Sequence, residues 1–458
     1  MYHVSKTVIS KAKHPTLHEY LQGYCCLSKN LYNAALFRLR QNFTAKGKEH
    51  LSDNELQVQN EISLTLESTT YQRPGRVMSY NFLEKLMRAT GNPDFFSGLP
   101  MQSAQSCLKD ACQDIKSWLS ALKTWKQQPE GFTGKPSMPG YRKSPLRNVK
   151  FTNQDCVFKS TDLGTMLKLP KTKLTIPMNH IGDDSVLKEV QVVPYYGDFL
   201  VITVFETKNI KETDEIMPYS CAIDFGVNNL AAIVSNDGTC LLYKGGAMKA
   251  MNQWYNKERA RLTGILTKGH KPGTVSLQTK KLFSLSEKRD CFMEDYAHKI
   301  SSDIIRFCIR HKIGIIVLGK NKGWKQNSSI GKVNNQNFVQ IPLDILRKKI
   351  AYKAKNAGIL VVEQEESYTS KADFLAGNHI PTYGEDDSAS FTGKRISRGL
   401  YRSQDGTVLN ADINGAANIL RKAYPDAFDH LHNFDFLQKV STKGFYDLHV
   451  PKCIPVQG

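Results

Sequence analysis

No two of the ten cysteines form a C-x-x-C pair, and none lies between Cys308 and Cys453. Paired zinc-finger ligands are therefore missing. Thiols set inside apolar runs such as "SCAID" and "RFCIR" point to reduced cysteines rather than a disulfide framework. No stretch reaches 18 consecutive apolar residues, so no membrane-spanning helix is expected. The first residues, "MYHVSKTVISKAKHP", lack the apolar core of a secretion signal, and a cytoplasmic protein is expected. Acid is scarce beside base: 43 Asp and Glu face 62 Lys and Arg, a formal charge of +19 over 458 residues. An excess that large favours polyanionic partners through counterion release.

What is present divides into three patterns. "HVSKTVIS" alternates like a strand, and a helical region opens at Pro15, where Leu17, Leu21, Tyr24, Leu27 and Leu31 recur on one face. Residues 46–74 are polar and poorly patterned, within a region, 15–128, that reads as mainly helical. Met101, Ala104, Leu108, Ala111, Ile115, Leu119 and Leu122 form a second helical stripe. Residues 131–154 carry Lys135, Arg142, Lys143, Arg147 and Lys150, three prolines and no acid. Short β-like runs then follow to about residue 207, which suggests a small barrel. From Ser220 onward strands and helices alternate, the pattern of an α/β domain with a mixed sheet. Within it, 244–281 holds nine Lys and Arg against the single acid Glu258, and 373–410 reads as a polar loop.

Three acids in this last region sit at the ends of elements. Asp224 closes the apolar run "CAID". Glu363, Glu365 and Glu366 cluster at the end of "ILVVEQEES". Asp412 falls in the first turn of a helix whose small residues Gly415, Ala416 and Ala417 allow close approach to a sheet. Carboxylates gathered from strand ends repel one another unless cations neutralise them, and hard oxygen donors select Mg²⁺ or Mn²⁺. Two such ions can activate a water and stabilise the leaving oxygen of a phosphodiester.

"AIDFGVNNLAAI", "IGIIVLGKNKGWKQN", "YTSKADFL" and "NADINGAANILRKAYPDAF" resemble TnpB proteins of bacterial transposons, as do "LPMQSAQSCLKDACQDIKSW" and "GKPSMPGYRKSP" nearer the N-terminus. The resemblance follows family order over nearly the whole chain. It implies a multidomain fold: a wedge β-barrel split over 1–14 and 129–215, a helical recognition unit at 15–128, and an RNase H-like RuvC nuclease domain at 216–458. That last domain would carry a basic helical insertion at about 247–312 and a lid loop at about 373–410. It also implies an RNA-guided DNA endonuclease using two Mg²⁺ ions, with a noncoding guide RNA and double-stranded target DNA as partners. A bacterial, nucleoid-associated monomer is expected.

By that resemblance Asp224 and Asp412 are the first and third RuvC carboxylates. Many relatives place the second, a glutamate, where this chain has Gly319; others use a glutamate before a Thr-Ser pair, here "EESYTS". Glu366 is the first choice for the second acid, Glu365 the next and Glu363 the third. Strand alternation puts Glu363 and Glu365 on one face and Glu366 on the other. No zinc is expected. Nucleic acid is expected against Lys135, Arg142, Lys143, Arg147 and Lys150, against Lys249, Lys257, Arg259 and Arg261, and against the lid residues Lys394, Arg395, Arg398 and Arg402. Gln102 and Gln105 are the candidates for reading a short target-adjacent motif. Rival readings are a miniature CRISPR effector with the same chemistry, a guided binder that no longer cuts, and a transposase acting without RNA.

Overall fold

The computed structural model describes residues 2–162, 164–178, 181, 185–207, 217–271, 273–320, 341–382, 390–397 and 399–449. The chain forms two compact units, 1–210 and 211–458.

In the first unit, β1 (Tyr2–Ile9) is followed by four helices: α1 (Pro15–Ala45), α2 (Asp53–Glu67), α3 (Tyr80–Ala89) and α4 (Met101–Gln127). The chain then returns to strands β2 (Val149–Thr152), β3 (Val157–Thr161), β4 (Gly164–Lys168), β5 (Thr175–Pro177), β6 (Ser185–Tyr195) and β7 (Asp198–Thr207). The first strand pairs antiparallel with the last, Tyr2 opposite Glu206 and Ile9 opposite Phe199. The helices are thus an insertion between partners in one sheet, ordered β1-β7-β6-β2. The β6–β7 hairpin turns at Tyr196-Gly197, both at positive φ (48° and 91°), which matches the right-handed twist of the strands. In place of a single closed ring, the described strands form this sheet and a separate one, β3-β4-β5. One apolar core runs from the helices (Leu21, Leu36, Ile62, Leu83, Leu108) into the strands (Phe151, Val190, Phe199).

The stretch 46–74 contains a helix. Ser52 accepts from the Glu55 amide, and the Glu55 carboxylate accepts from the Ser52 amide, a reciprocal cap that starts α2 in a polar sequence. Val58, Ile62 and Thr65 then supply a narrow buried stripe.

The second unit is built on a six-stranded sheet. Its strands are β8 (Tyr219–Asp224), β9 (Asn229–Ser235), β10 (Thr239–Lys244), β11 (Ile313–Lys320) and β12 (Leu360–Glu365), with β16 (Val440–Lys443) at the far edge. Spatial order is β12-β11-β8-β9-β10-β16. The meander β8-β9-β10 is antiparallel, whereas β11 runs parallel to β8 and β12 parallel to β11. The helices are α5 (Gly246–Thr267), α6 (Lys280–Arg310), α7 (Leu343–Asn356), α8 (Ala411–Ala423) and the short α9 (Phe445–His449). The expected loop at 373–410 includes three short strands, β13 (Lys394–Ser397), β14 (Leu400–Arg402) and β15 (Val408–Asn410), anchored by buried Tyr401 and Leu409.

Side-chain alternation decides which helix meets which face. Cys221, Ile223, Ile316 and Leu318 pack with α6 and α7, through Tyr296, Ile300, Ile304, Leu346 and Ile350. Ala222, Ala232, Val234 and Val317 pack with α8, through Ile413, Ala416, Ala417 and Leu420. By the two-residue period Asp224 and Gly319 therefore belong to the α8 face.

The α2 cap gives a direct test. Ser52→Ala should lower unfolding stability by about 1 kcal/mol, measured by denaturant unfolding. An unchanged midpoint would show that tertiary packing alone sets the start of α2.

Candidate active site

Asp224, Glu366 and Asp412 reach the same end of the α8 face, each from a different element. Asp224 ends β8, in register with Ala232 of β9. Its Oδ2 lies against α8: a Cβ on Gly415 would stand only 2.9 Å from it. Glycine at 415 is thus what lets the helix close over the carboxylate. Asp412 occupies the first turn of that helix, which Asn410 caps by accepting from the amides of Asp412 (2.9 Å) and Ile413 (3.3 Å). Asn229, at the start of β9, donates to Asp412 Oδ2 at 2.6 Å and orients it.

Glu366 lies just beyond β12, and its carboxylate fills the space where a side chain at position 319 would begin. A Cβ there would collide with Glu366 and come within 2.9 Å of Ile419 Cδ1. The glycine in β11 and the glutamate after β12 are therefore one steric unit. The turn that delivers Glu366 is pinned by its own carbonyl, which accepts from Thr369 Oγ1 at 2.8 Å. Two buried asparagines of α8 hold the rest of that turn. Asn418 donates to the carbonyls of Thr369 (2.9 Å) and Ala372 (2.7 Å), and Asn414 donates to Ala372 (2.8 Å).

The other two glutamates are engaged elsewhere. Glu363 is exposed and ion-paired with Lys320. Glu365 is paired with Lys422 at 2.7 Å and accepts from the Ser367 amide at 2.7 Å. These partners hold its carboxyl below the usual range in spite of partial burial. Glu366 behaves oppositely: burial raises it, and Arg347 only partly offsets the shift. Burial also pushes Asp224 well above the ordinary carboxylate value, and the charges of Glu366 and Asp412 push it further. Arg395, on β13, stands 3.5 Å from Asp412 Oδ1 and draws Asp224 partly back down.

Arg347, Asn229, Asn414 and Asn418 are site residues that the sequence reading passes over. The two buried asparagines of α8 stand four apart in an otherwise apolar stripe, and that was the available signal. Arg347 donates to the Gly319 carbonyl at 2.5 Å and lies 5.2 Å from the centre of the Phe225 ring. It thus spans β11 and the residue after Asp224.

Among the described residues no group of three or more His, Cys, Asp or Glu side chains is close enough to hold an ion as it stands. The donor set nevertheless fits a hard divalent cation. It is all carboxylate oxygen, and burial raises two of its acids, Asp224 and Glu366, a shift that a bound cation would oppose.

The expected nucleic-acid contacts divide into exposed and committed residues. Lys143, Lys257, Arg259, Lys394 and Arg402 are exposed. Lys135 is exposed beside the Trp125 ring, and Arg142 lies over Tyr32. Arg147 and Lys150 instead share Asp110, at 2.6 and 3.2 Å, as a brace within the first unit. Lys249 donates to Asn228, and Arg261 pairs with Glu258 at 2.9 Å. Gln105 donates to Glu84 at 3.0 Å, and Gln102 accepts from Thr152 at 2.5 Å and also meets Gln154. Both motif-reading candidates thus already have protein partners. Arg398 lies outside the described residues.

Two family models match this chain. One, described as a probable transposase, covers residues 206–325, and the other, a Cas12f1-like TNB domain, covers 344–419. A TnpB-like protein, ORF457, of Acidianus two-tailed virus is 26% identical over 210 residues, 44% of this chain. Over these stretches the chain is similar to TnpB-like proteins. The match spans 41% of that viral relative's length. Among solved structures, a Cas12f1–sgRNA–target DNA complex aligns over 89% of this chain and 84% of its own, at 13% identity and a TM-score of 0.49. The mini-RNA-guided endonuclease CRISPR-Cas_phi3 aligns over 92% of each chain, at 10% identity and a TM-score of 0.40. Likeness at that level fixes neither fold nor activity. The two family models cover all three acids: Asp224 lies in the first matched region, and Glu366 and Asp412 lie in the second.

The raised carboxyls make a pH prediction. Between the ordinary carboxylate pKa of about 4 and their raised folded values, Asp224 and Glu366 bind more protons in the folded chain than in the unfolded one. Their contribution to stability therefore falls as pH rises through that window. Melts of metal-free protein from pH 5 to 8 should show this decline, and Asp224→Asn should flatten it. An identical slope in the variant would remove Asp224 as its source.

Proposed function

We propose that this protein is an RNA-guided DNA endonuclease whose cutting site is formed by Asp224, Glu366 and Asp412. The observation that carries the reading is the repulsive pocket itself. Three acids approach one another on one sheet face, with Arg347 and Arg395 as countercharge among the described residues. Such an arrangement costs stability in the empty protein, and a nuclease site gives it a use. The sheet order, an antiparallel meander with two parallel strands added beside its first strand, supports an RNase H-like reading. The helices inserted between β1 and β2 support a recognition unit within a split wedge.

In this reading the three carboxylates would hold Mg²⁺, or Mn²⁺ in its place. Such ions supply an activated water at neutral pH and stabilise the departing oxygen of a phosphodiester. The chain's own residues do the positioning. Asn229 fixes Asp412, and Thr369 with Asn418 fixes the turn that carries Glu366. Arg395 is half-exposed beside Asp412, and its planar fork suits the non-bridging oxygens of a phosphate. The basic excess would hold guide RNA and target DNA mainly through phosphates, while base pairing reads the target. A guided binder that no longer cuts would be expected to lack one of the three acids, and all three are present. The protein is expected in the cytoplasm with the nucleoid. No described helix is long and apolar enough to cross a membrane.

The test begins with expression beside the native flanking DNA and sequencing of the RNA that copurifies. A single RNA ending in transposon-flank sequence is expected. A spacer-bearing RNA would move the protein to the CRISPR effectors, and no specific RNA would overturn the guided reading. Asp224→Ala and Glu366→Gln should abolish cleavage while leaving RNA and DNA binding intact, and Glu363→Gln should cleave normally. If Glu363→Gln is the dead variant, the second acid is misassigned.

Gly319→Ala should slow cleavage at least about tenfold, roughly 1.4 kcal/mol in the barrier, because the new methyl displaces the Glu366 carboxylate. Wild-type rates in a folded Gly319→Ala protein would show that Glu366 does not need that space.

A further inference from the structure

We propose that the cleft between α5 and α6 is a binding slot for an unpaired nucleotide of the bound RNA; this rests on the RNA-guided reading above. The two helices are joined along part of their length. Arg289 Nε donates to Asn252 at 2.7 Å, and the hydroxyls of Tyr255 and Ser286 lie 3.3 Å apart. Toward the end of α5 and the start of α6 a cleft of about 770 Å³ opens between them. Its walls are apolar: Trp254, Leu262, Ile265 and Leu285. Two of these remain open to solvent, Trp254 at 38% and Ile265 at 62% exposure. Its rim is cationic. Lys280 and Lys281 line one end, and Lys288 Nζ stands 4.8 Å from the centre of the Trp254 ring. The one acid in the lining, Glu258, is already paired with Arg261.

An occupant must therefore bring a flat apolar body for the wall and negative charge for the rim. A base with its flanking phosphates supplies both. Aromatic stacking holds the π-face, and lysines hold the backbone. The volume is ample for a nucleotide. RNA is the fitting source because bases of the target strand are consumed in pairing with the guide. Bulges and loops of a structured RNA keep theirs free.

The test uses the purified protein–RNA complex without DNA. Ultraviolet crosslinking followed by mass spectrometry should place a nucleotide adduct on the peptide holding Trp254 or Lys288. Trp254→Leu should weaken RNA binding about fivefold or more, and Trp254→Phe should restore most of it. Lys288→Glu leaves the apolar wall intact and should weaken binding as well, which covers the case in which Trp254→Leu fails to fold. A complex that carries RNA but gives no adduct here and unchanged affinity in both variants would overturn the slot while leaving the guided reading standing. Adducts that form only after target DNA is added would assign the cleft to the displaced strand and overturn it too. A polypeptide crosslinked there in RNA's place would have the same effect. Protein that copurifies with no RNA at all would instead defeat the guided reading.

Discussion

Mutual repulsion of carboxylates in an enclosed space is the constraint around which the second unit is arranged. Asp224, Glu366 and Asp412 face one region where burial weakens the screening that water would give them. The surroundings answer that repulsion in three ways. Two glycines, 319 and 415, make room so that the acids can approach. Two arginines supply positive charge, Arg347 to Glu366 and Arg395 to Asp412 and Asp224. Burial, finally, raises the pKa of Asp224 and Glu366 and so disfavours their charged forms. The nearby Glu363 and Glu365 have lysines of their own, and so they are left out of the cluster.

Helix α8 organises both the acids and their supports. It brings Asp412 in its first turn and gives Asp224 a surface to lie against at Gly415. Through Asn414 and Asn418 it also fixes the turn that delivers Glu366. The same helix reaches the small sheet β13-β14-β15 by way of Asp373. That buried carboxylate accepts from Ser403 Oγ at 2.8 Å and from the Gln404 amide at 2.8 Å, and Thr392 approaches it as well. The segment bearing Arg395 is thereby tied through hydrogen bonds to the core that bears the acids.

The basic excess divides by role. In the first unit Arg147 and Lys150 neutralise Asp110 and brace β2 against α4, while Lys143 remains exposed. In the second unit the α5–α6 hairpin keeps Lys280, Lys281 and Lys288 around an apolar cleft. A count of lysines and arginines cannot separate these uses. Arg147 and Lys150 are committed to a partly buried acid, whereas Lys280, Lys281 and Lys288 line open apolar surface.

Much of this was legible in the residues themselves. Apolar periodicity marked α1 and α4, and alternation marked β1, because those patterns record burial directly. The element-end positions of Asp224 and Asp412 were also readable, since a strand end and a first helical turn are local properties. α2 was not singled out because a two-sided cap, not an apolar stripe, starts it. The choice among Glu363, Glu365 and Glu366 could not be made from the sequence. Alternation separated Glu366 from its neighbours, but which face mattered depended on where α8 packs. That packing, the space left by Gly319 and the reach of Arg347 arise from residues far apart in the chain. Local pattern therefore determined which acids could take part, and only the tertiary structure decided which ones meet, because the forces that select them act through space between distant segments.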